Sequence, residues 1–592
     1  MKQSDPETTH EEAPVEKPIP LSRMLAFGAP GFAGAGMAIP IAVLMPVFYS
    51  DVVMAPLGTI ALAIAIARSF DALTDPLMGW LSDRTRSRFG RRKPWIALGV
   101  PLCAVFFYLL FAPPDQITGQ AAGLWFGVTY TAYFLFHTIY QVPHGALGSE
   151  LTLDYDERSK LFGIQSLFIL VGILTASVAP SILSGAFDIE NPRTTHALIA
   201  GFFATLLVVL YAALLRWVPE RPEFAKSDPN PLVPGVRRAL RNRPFRIFFF
   251  AGMVSAIPAA IPGILIPYYT TYVLQVADPE QWLGILLVTY FGTGLIAVPI
   301  WMRLAERFSK LWTIVASAII GTTGGTCLFF LGDGNSMVVL GIFLLIGFAS
   351  STGLVILPSM VADVIDYDEF LTGKRREAQF GSFWAIVPKF VAIPGASLPL
   401  ALLAWVGYQP NEVQSDEVVL TIRLLLGIFP AAFNILTVAI LVRYPLSRAV
   451  HATIREGIRA HNRGESFKDP LSDRWIEPSS RRLLDNEDGW FLDTFSHAEL
   501  RRIVQSGPRR ALQDVLRAVI ASGLLALACG WLAWQTVGDL NSEPGPSTIL
   551  AVVGAGLSIT AMCFHLLRVQ PARRLRHAGI TSERIEAHLA DI

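Results

Sequence analysis

The stretch Ala67-Arg68-Ser69-Phe70-Asp71-Ala72-Leu73-Thr74-Asp75-Pro76-Leu77-Met78-Gly79-Trp80 places one arginine and two carboxylates inside an apolar run over 57–82. A bilayer-spanning helix needs about 20 mostly apolar residues, and a charge at membrane depth costs about 2.5–3.5 kcal/mol on insertion scales. Asp71 and Asp75 are four apart, so their carboxylates share one face of such a helix. Two carboxylates in a low dielectric repel unless a cation lies between them. The stretch therefore reads as a membrane helix that carries a cation site. Na⁺ or H⁺ bound at Asp71 and Asp75 would remove the repulsion. Thr74 offers a neutral oxygen of the kind hard cations prefer. The alternative is a static ion network of Arg68 with the two acids.

Outward from this stretch the chain repeats the pattern. Fourteen apolar runs can be marked: 24–50, 57–82, 94–113, 120–147, 161–184, 196–218, 245–274, 281–302, 311–332, 336–363, 378–406, 418–443, 511–537 and 548–569. Backbone groups in lipid must bond internally, so each should be a helix. Of the 592 residues 52% are hydrophobic and only 16% charged, against roughly 25% charged in soluble domains. That balance excludes a disordered chain, a coiled coil and a nucleic-acid-coating protein, so no nucleic-acid partner is expected. The net charge of +1 excludes little. Cys103, Cys327, Cys529 and Cys563 lie singly in apolar stretches, without metal-ligand spacing or a disulfide framework. The leader Met1 to Ser22 is polar and acidic, so the first run reads as a membrane helix rather than a cleaved signal.

Lys and Arg mark the sides. They crowd the loops after the second, fourth, sixth, eighth and tenth runs, as in Arg84 to Lys93 and Lys374-Arg375-Arg376. The alternate loops hold none except Arg193. The positive-inside rule then puts every even-numbered run's end and both termini in the cytoplasm of a multi-pass protein, with a bacterial inner membrane the expected location. The two halves echo each other. Leu81-Ser82-Asp83-Arg84 closes the second run and Leu304-Ala305-Glu306-Arg307 the eighth; Asp154-Tyr155-Asp156-Glu157 follows the fourth and Asp366-Tyr367-Asp368-Glu369 the tenth. Paired six-helix halves are the plan of a major-facilitator transporter working by alternating access. The expected class is thus an all-α membrane protein, a major facilitator fold of two six-helix bundles plus two extra C-terminal membrane helices. The expected segments are a tail over 1–22, bundles over 23–218 and 245–443 joined by a loop over 219–244, a polar segment over 444–510, a membrane hairpin over 511–569 and a tail over 570–592. Acid–Arg contacts at the basic helix ends would latch one state. The candidates are Asp83, Arg84, Arg88, Glu150, Asp154, Glu306, Arg307, Asp363 and Asp366.

Other polar residues at membrane depth suggest a solute site. Lys389 is the only Lys deep in an apolar run, and either pairs with a membrane acid or contacts substrate. His137 and His144 share a face of the fourth run with Gln141 between them, which fits a proton relay, a polar substrate contact or hydrogen-bonded packing. Tyr268, Tyr269 and Tyr272 could line a cavity or be interfacial belt residues. Arg423, near its helix start, can snorkel. An intramembrane aspartyl protease also uses two membrane Asp, but on facing helices that share a proton; here both lie on one helix, so no enzyme is expected. A non-transporting receptor leaves the acid pair without a use.

The opening stretch continues as Ser82-Asp83-Arg84-Thr85-Arg86-Ser87-Arg88-Phe89-Gly90, and in this it resembles the glycoside–pentoside–hexuronide:cation symporters (melibiose permease-like) of the major facilitator superfamily. Further matches are Tyr49-Ser50-Asp51-Val52-Val53, Pro267-Tyr268-Tyr269-Thr270-Thr271-Tyr272-Val273 and Val361-Ala362-Asp363-Val364-Ile365-Asp366-Tyr367-Asp368-Glu369-Phe370. The resemblance spans about residues 22–445 and implies symport of a small solute with Na⁺, Li⁺ or H⁺. It puts Asp71, Thr74, Asp75 and Thr138 at the family's cation-ligand positions, with Thr74 where an Asn is usual. No cofactor beyond the coupling ion is implied, and the expected partners are solute, cation and bilayer around a monomer. The sugar site departs. The family's first-helix Lys-Asp pair falls at Phe32-Ala33, its fourth-helix Asp at Gln141 and Trp at Gly145, and its tenth-helix Trp near Leu354; Lys389 matches a family Lys. Those apolar replacements keep open a second substrate class, lysophospholipids or other amphiphiles, which related symporters carry. Beyond the resemblance, Ser496-His497-Ala498-Glu499 has the form of a capping box. The last two runs read as a peripheral hairpin whose basic end suits anionic lipid heads.

Overall fold

The computed structural model describes residues 19–152, 154–189, 191–221, 240, 242–373, 377–478, 495–537, 543–577 and 585–586. The expected tail over 1–22 (apart from residues 19–22), most of the 219–244 loop and the Lys374-Arg375-Arg376 loop lie outside the described residues. Twelve long helices follow in order: α1 (Leu21–Val52), α2 (Leu57–Arg84), α3 (Lys93–Phe111), α4 (Gly119–Leu151), α5 (Tyr155–Phe187), α6 (Pro192–Trp217), α7 (Arg243–Val273), α8 (Pro279–Arg307), α9 (Lys310–Phe330), α10 (Ser336–Thr372), α11 (Glu377–Trp405) and α12 (Asp416–Leu441). Then come α13 (Arg448–Asn462), a two-stranded antiparallel hairpin of β1 (Phe467–Lys468) and β2 (Trp475–Ile476), α14 (His497–Ser506), α15 (Pro508–Val537), α16 (Pro546–Leu567) and α17 (Val569–His577). All fourteen apolar runs are helices, and among the described residues thirteen helices are long and apolar enough to cross a membrane. The other is α4, 33 residues long and dotted with Thr, His and Gln.

Helix starts follow the side chains that can accept from free N–H groups. Asp154, Asn191, Asn242, Asp278, Ser309, Ser415 and Ser447 cap α5, α6, α7, α8, α9, α12 and α13 through their side-chain oxygens. The start of α3 is capped from a distance. The Glu220 carboxylate, just past α6, accepts from the backbone N–H of Arg91 (2.6 Å), Arg92 (2.9 Å) and Lys93 (2.6 Å). Gly90 makes this possible: its φ is +105°, and a Cβ there would fall 2.6 Å from the Glu220 carboxylate.

The duplication seen in the sequence recurs in backbone geometry. A π turn closes α1 at Phe48–Val52, and another closes α7 at Tyr269–Val273. Both sit at the end opposite the basic loops, and π turns in α-helices commonly mark working sites. The two halves meet along three seams: α2 with α11, α5 with α8, and α1 with α7. Helices in lipid gain little from the hydrophobic effect between themselves, so close backbone approach matters. Within the halves, a Cβ on Gly172 would lie 2.2 Å from the Phe32 carbonyl, and one on Gly395 would lie 1.9 Å from the Ile257 carbonyl.

The residues after α12 fold back onto the bundle. His451 of α13 meets Asp366 at 3.0 Å, and His461 stacks on Phe370 with ring centres 5.0 Å apart. The Ser496–Glu499 capping box is formed, with both reciprocal hydrogen bonds present. Arg568, nearly fully buried, pairs with Glu499 at 2.9 Å and ties α16 to α14. The α15–α16 hairpin is not evenly attached. Helix α16 lies against both α2 and α11, with Gly556 beside Ser69, while α15 packs chiefly on α16.

Candidate functional site

Four side chains from three helices converge at the α2–α11 seam. Thr138 of α4 donates its hydroxyl toward Asp71 Oδ1 at 2.8 Å and Asp75 Oδ1 at 2.9 Å. Lys389 of α11 donates to Asp71 Oδ2 at 3.4 Å and, at shorter range, to Asp75 Oδ2. The four-residue spacing of the acids does what a helix face requires, presenting both to one partner. Their exposure is graded: side chains are 6% exposed at Asp71, 17% at Asp75 and 43% at Lys389. The acids are therefore screened from solvent on the Asp71 side and approachable past Lys389. Two carboxylates and one ammonium sum to one negative charge. The buried Arg68 guanidinium adds a positive charge near Asp71, and the oxygens of the group are of the donor type hard cations take.

The remaining residues around this group divide. Thr74 turns its hydroxyl back to the Asp71 carbonyl at 3.1 Å on its own helix. Gln141 stands one turn after Thr138 on α4 and is exposed. His137 packs among rings, with centres 5.8 Å from Tyr133 and 5.3 Å from Tyr140. His144 meets Tyr211 at 3.0 Å and the Phe27 carbonyl at 3.3 Å, which is a packing role. The cation touching both acids is Lys389; the Arg68 guanidinium lies 4.3 Å from the centre of the Phe134 ring.

A second cross-half cluster lies at the end opposite the basic loops. Asp51, in the π turn of α1, accepts from the Tyr272 hydroxyl at 2.5 Å and the Tyr408 hydroxyl at 2.6 Å. Ser50 and Tyr268 meet at 3.0 Å, and Asn411 donates to the Asp51 carbonyl at 2.8 Å. Tyr268 and Tyr272 are buried in this junction. Sequence reasoning assigned no role to Asp51, Tyr408 or Asn411. The available signal was a lone acid closing the first run, within the quoted Tyr49-Ser50-Asp51 match.

Among the described residues, the latch candidates at the basic end meet partners in their own half or in α13. Arg92 pairs with Asp83 (2.5 Å) and Glu150 (2.8 Å), and Arg91 with Glu150 (2.6 Å). Lys310 pairs with Asp363 at 2.7 Å, and Arg448 donates to the Glu306 carbonyl at 2.8 Å. Asp154 is an N-cap and Asp366 holds His451. Arg84, Arg88 and Arg307 lie over the neighbouring Trp80, Phe89 and Phe308 rings.

Residues 26–448 match the family model described as MFS/sugar transport protein. The chain belongs to this family. An uncharacterized symporter of Synechocystis, sll1374, is 26% identical over an alignment covering 74% of this chain and 96% of that protein. The inner membrane symporter YicJ of Escherichia coli is 27% identical, covering 68% and 86%. The glucuronide carrier protein homolog of the same organism is 23% identical, covering 68% and 87%. Among solved structures, a point mutant of the nucleoside transporter NupG superposes with a TM-score of 0.52 over 71% of this chain and 99% of that one, at 14% identity. The chain is thus a multi-pass membrane transporter of all-α major facilitator fold, not an enzyme. The α13–α17 region lies beyond the family match.

Proposed function

We propose that the chain is a cation-coupled symporter of a sugar-type solute, working by alternating access with both termini in the cytoplasm of a bacterial inner membrane. The observation that carries this is the group Asp71, Asp75, Thr138 and Lys389, which joins the two halves and sets two carboxylates against one directly bonded ammonium. Na⁺ or H⁺ completes it by binding between the acids and Thr138, and Lys389 yields the carboxylate oxygens it holds. Because Lys389 belongs to the other half, occupancy of the site changes how strongly the halves attract. That is the differential interaction a coupled transporter needs. Gln141, His137 and the exposed side of Lys389 lie toward the solute. The Asp51 junction closes the outer end in this conformer. The name of the glucuronide carrier homolog favours a glycoside or uronide over an amphiphile.

The test is uptake by proteoliposomes holding the full chain, offered labelled glycosides, uronates and lysophospholipids under an imposed Na⁺ or H⁺ gradient. Gradient-dependent accumulation of a sugar-type solute is expected. Accumulation of lysolipid alone would transfer the reading to amphiphile transport, and no gradient-driven accumulation of any solute would end the symport reading.

A further inference from the structure

Arg193 is the one Lys or Arg in the loops opposite the basic side, over 51–56, 114–119, 185–195, 275–280, 333–335, 407–417 and 538–547. It stands at the mouth of a groove of about 930 Å³ between the end of α3 and the first turns of α6. The mouth is polar, formed by Asp115, Asn191, Arg193 and Thr194. Below it the walls are apolar and face outward, with Tyr108, Leu198, Phe202 and Val209 all exposed. Gly201 opens the floor. From Arg193 to Val209 the α6 wall runs about 24 Å, longer than the roughly 15 Å depth of one leaflet's hydrocarbon. The charges at the mouth come as a pair: Arg193 Nη1 lies 3.3 Å from Asp115 Oδ1, with the Asp115 side chain 87% exposed and the Arg193 side chain 23%. Arg193 Nη1 also donates to the Pro113 carbonyl at 3.4 Å; with its acid largely in solvent the ion pair contributes little to folding, so a ligand's charges can replace it.

We infer that this groove binds a phospholipid with a zwitterionic, primary-ammonium headgroup, the phosphate on Arg193, the ammonium on Asp115 and an acyl chain along α6. A headgroup carrying one negative and one positive centre satisfies both side chains, whereas an anionic headgroup leaves Asp115 facing negative charge. A choline headgroup keeps the charges but has no N–H to give Asp115. Charge-assisted hydrogen bonds are the strong ones, so the discrimination is measurable.

The test is mass spectrometry of the intact, detergent-purified full chain, mixed with equal amounts of phosphatidylethanolamine, phosphatidylcholine and phosphatidylglycerol of matched acyl chains. Bound phosphatidylethanolamine should exceed each of the others about tenfold, the scale of one charge-assisted hydrogen bond. Arg193→Gln should lower retention of all three. Asp115→Asn should abolish the preference for ethanolamine over choline and leave choline-lipid binding in place. Gly201→Leu should empty the groove; a Cβ there meets the Tyr108 ring at an ordinary 3.7 Å, so the backbone accepts it. Equal retention of the three lipids by the unmodified chain would overturn the inference without any variant. So would an ethanolamine preference that survives both Arg193→Gln and Gly201→Leu.

Discussion

The Lys389 ammonium lies 3.4 Å from the Asp71 carboxylate, and the two residues come from opposite halves of the chain. The same ammonium also holds Asp75. One lysine therefore serves as counter-ion to an acid pair and as a tie across the seam between bundles. Anything that competes for the carboxylates loosens that tie.

Asp75→Asn removes one of the two charges and leaves a side chain of the same shape. Lys389 then holds a single carboxylate, with no second one for a bound cation to screen. Gradient-driven accumulation in proteoliposomes should disappear while solute exchange without a gradient persists. Full accumulation in the variant would remove Asp75 from the coupling site.

Lys389→Met leaves Asp71 and Asp75 facing each other without their shared ammonium. Breaking a buried ion pair costs about 3–5 kcal/mol, but Lys389 is 43% exposed, so a loss of about 1–2 kcal/mol is expected after solvent screening. Added Na⁺ or a lower pH should restore the melting temperature by more than in the unmodified chain, since either replaces the missing positive charge. An equal response in both proteins would argue against cation binding at the acids.

Tyr272→Phe and Tyr408→Phe each delete one hydroxyl that donates to Asp51. Hydrogen bonds to a charged group contribute about 1.5–3 kcal/mol. Their loss should favour opening at that end of the bundle. Val47 lines the cavity behind the junction; a Val47→Cys thiol should react with an impermeant reagent at least about tenfold faster in the double-Phe background, since about 1.4 kcal/mol is a factor of ten. Unchanged labelling would show that the junction does not hold this end closed.

Gly172→Ala and Gly395→Ala test the close helix approaches. A methyl at either position would meet a backbone carbonyl, on Phe32 or Ile257, at 2.2 or 1.9 Å. Overpacking of this kind costs about 1–3 kcal/mol, and carbonyls on packed helices cannot swing aside. Both variants should melt several degrees lower in detergent, whereas Gly163→Ala, with open space around its Cβ, should not.

Glu220→Gln should destabilise the chain although Glu220 lies outside the membrane-spanning helices. Its carboxylate takes three N–H groups at the start of α3, where the helix dipole also favours negative charge. A loss of about 2 kcal/mol is expected from weakening these charged bonds, read as a lower thermal midpoint. An unchanged midpoint would mean that the loop holds its shape without the charge.

Much of the architecture was legible one-dimensionally, because the bilayer imposes a one-dimensional rule. A run of about 20 apolar residues must be a helix in lipid, so fourteen runs became fourteen helices. The acid pair was legible for a similar reason, since a four-residue spacing fixes a shared helix face wherever the helix goes. The repeated tetrapeptide at 154–157 and 366–369 carried the duplication.

Pairing between distant helices was not legible, because it depends on how the bundles rotate and approach. The sequence of α11 shows a lysine among apolar residues; only packing against α2 shows that both acids receive it, and that Thr74 turns back to its own helix. Tyr272 could line a cavity or sit in the belt by sequence alone, and Tyr408 carried no signal, until α1 brings Asp51 between them. The acids and arginines at the basic end could pair across the halves or within them, and among the described residues Glu150 and Asp363 take Arg91 and Lys310 of their own halves. Sequence periodicity sets the face a charge occupies, while the identity of its partner is set by which faces the bundles turn toward each other.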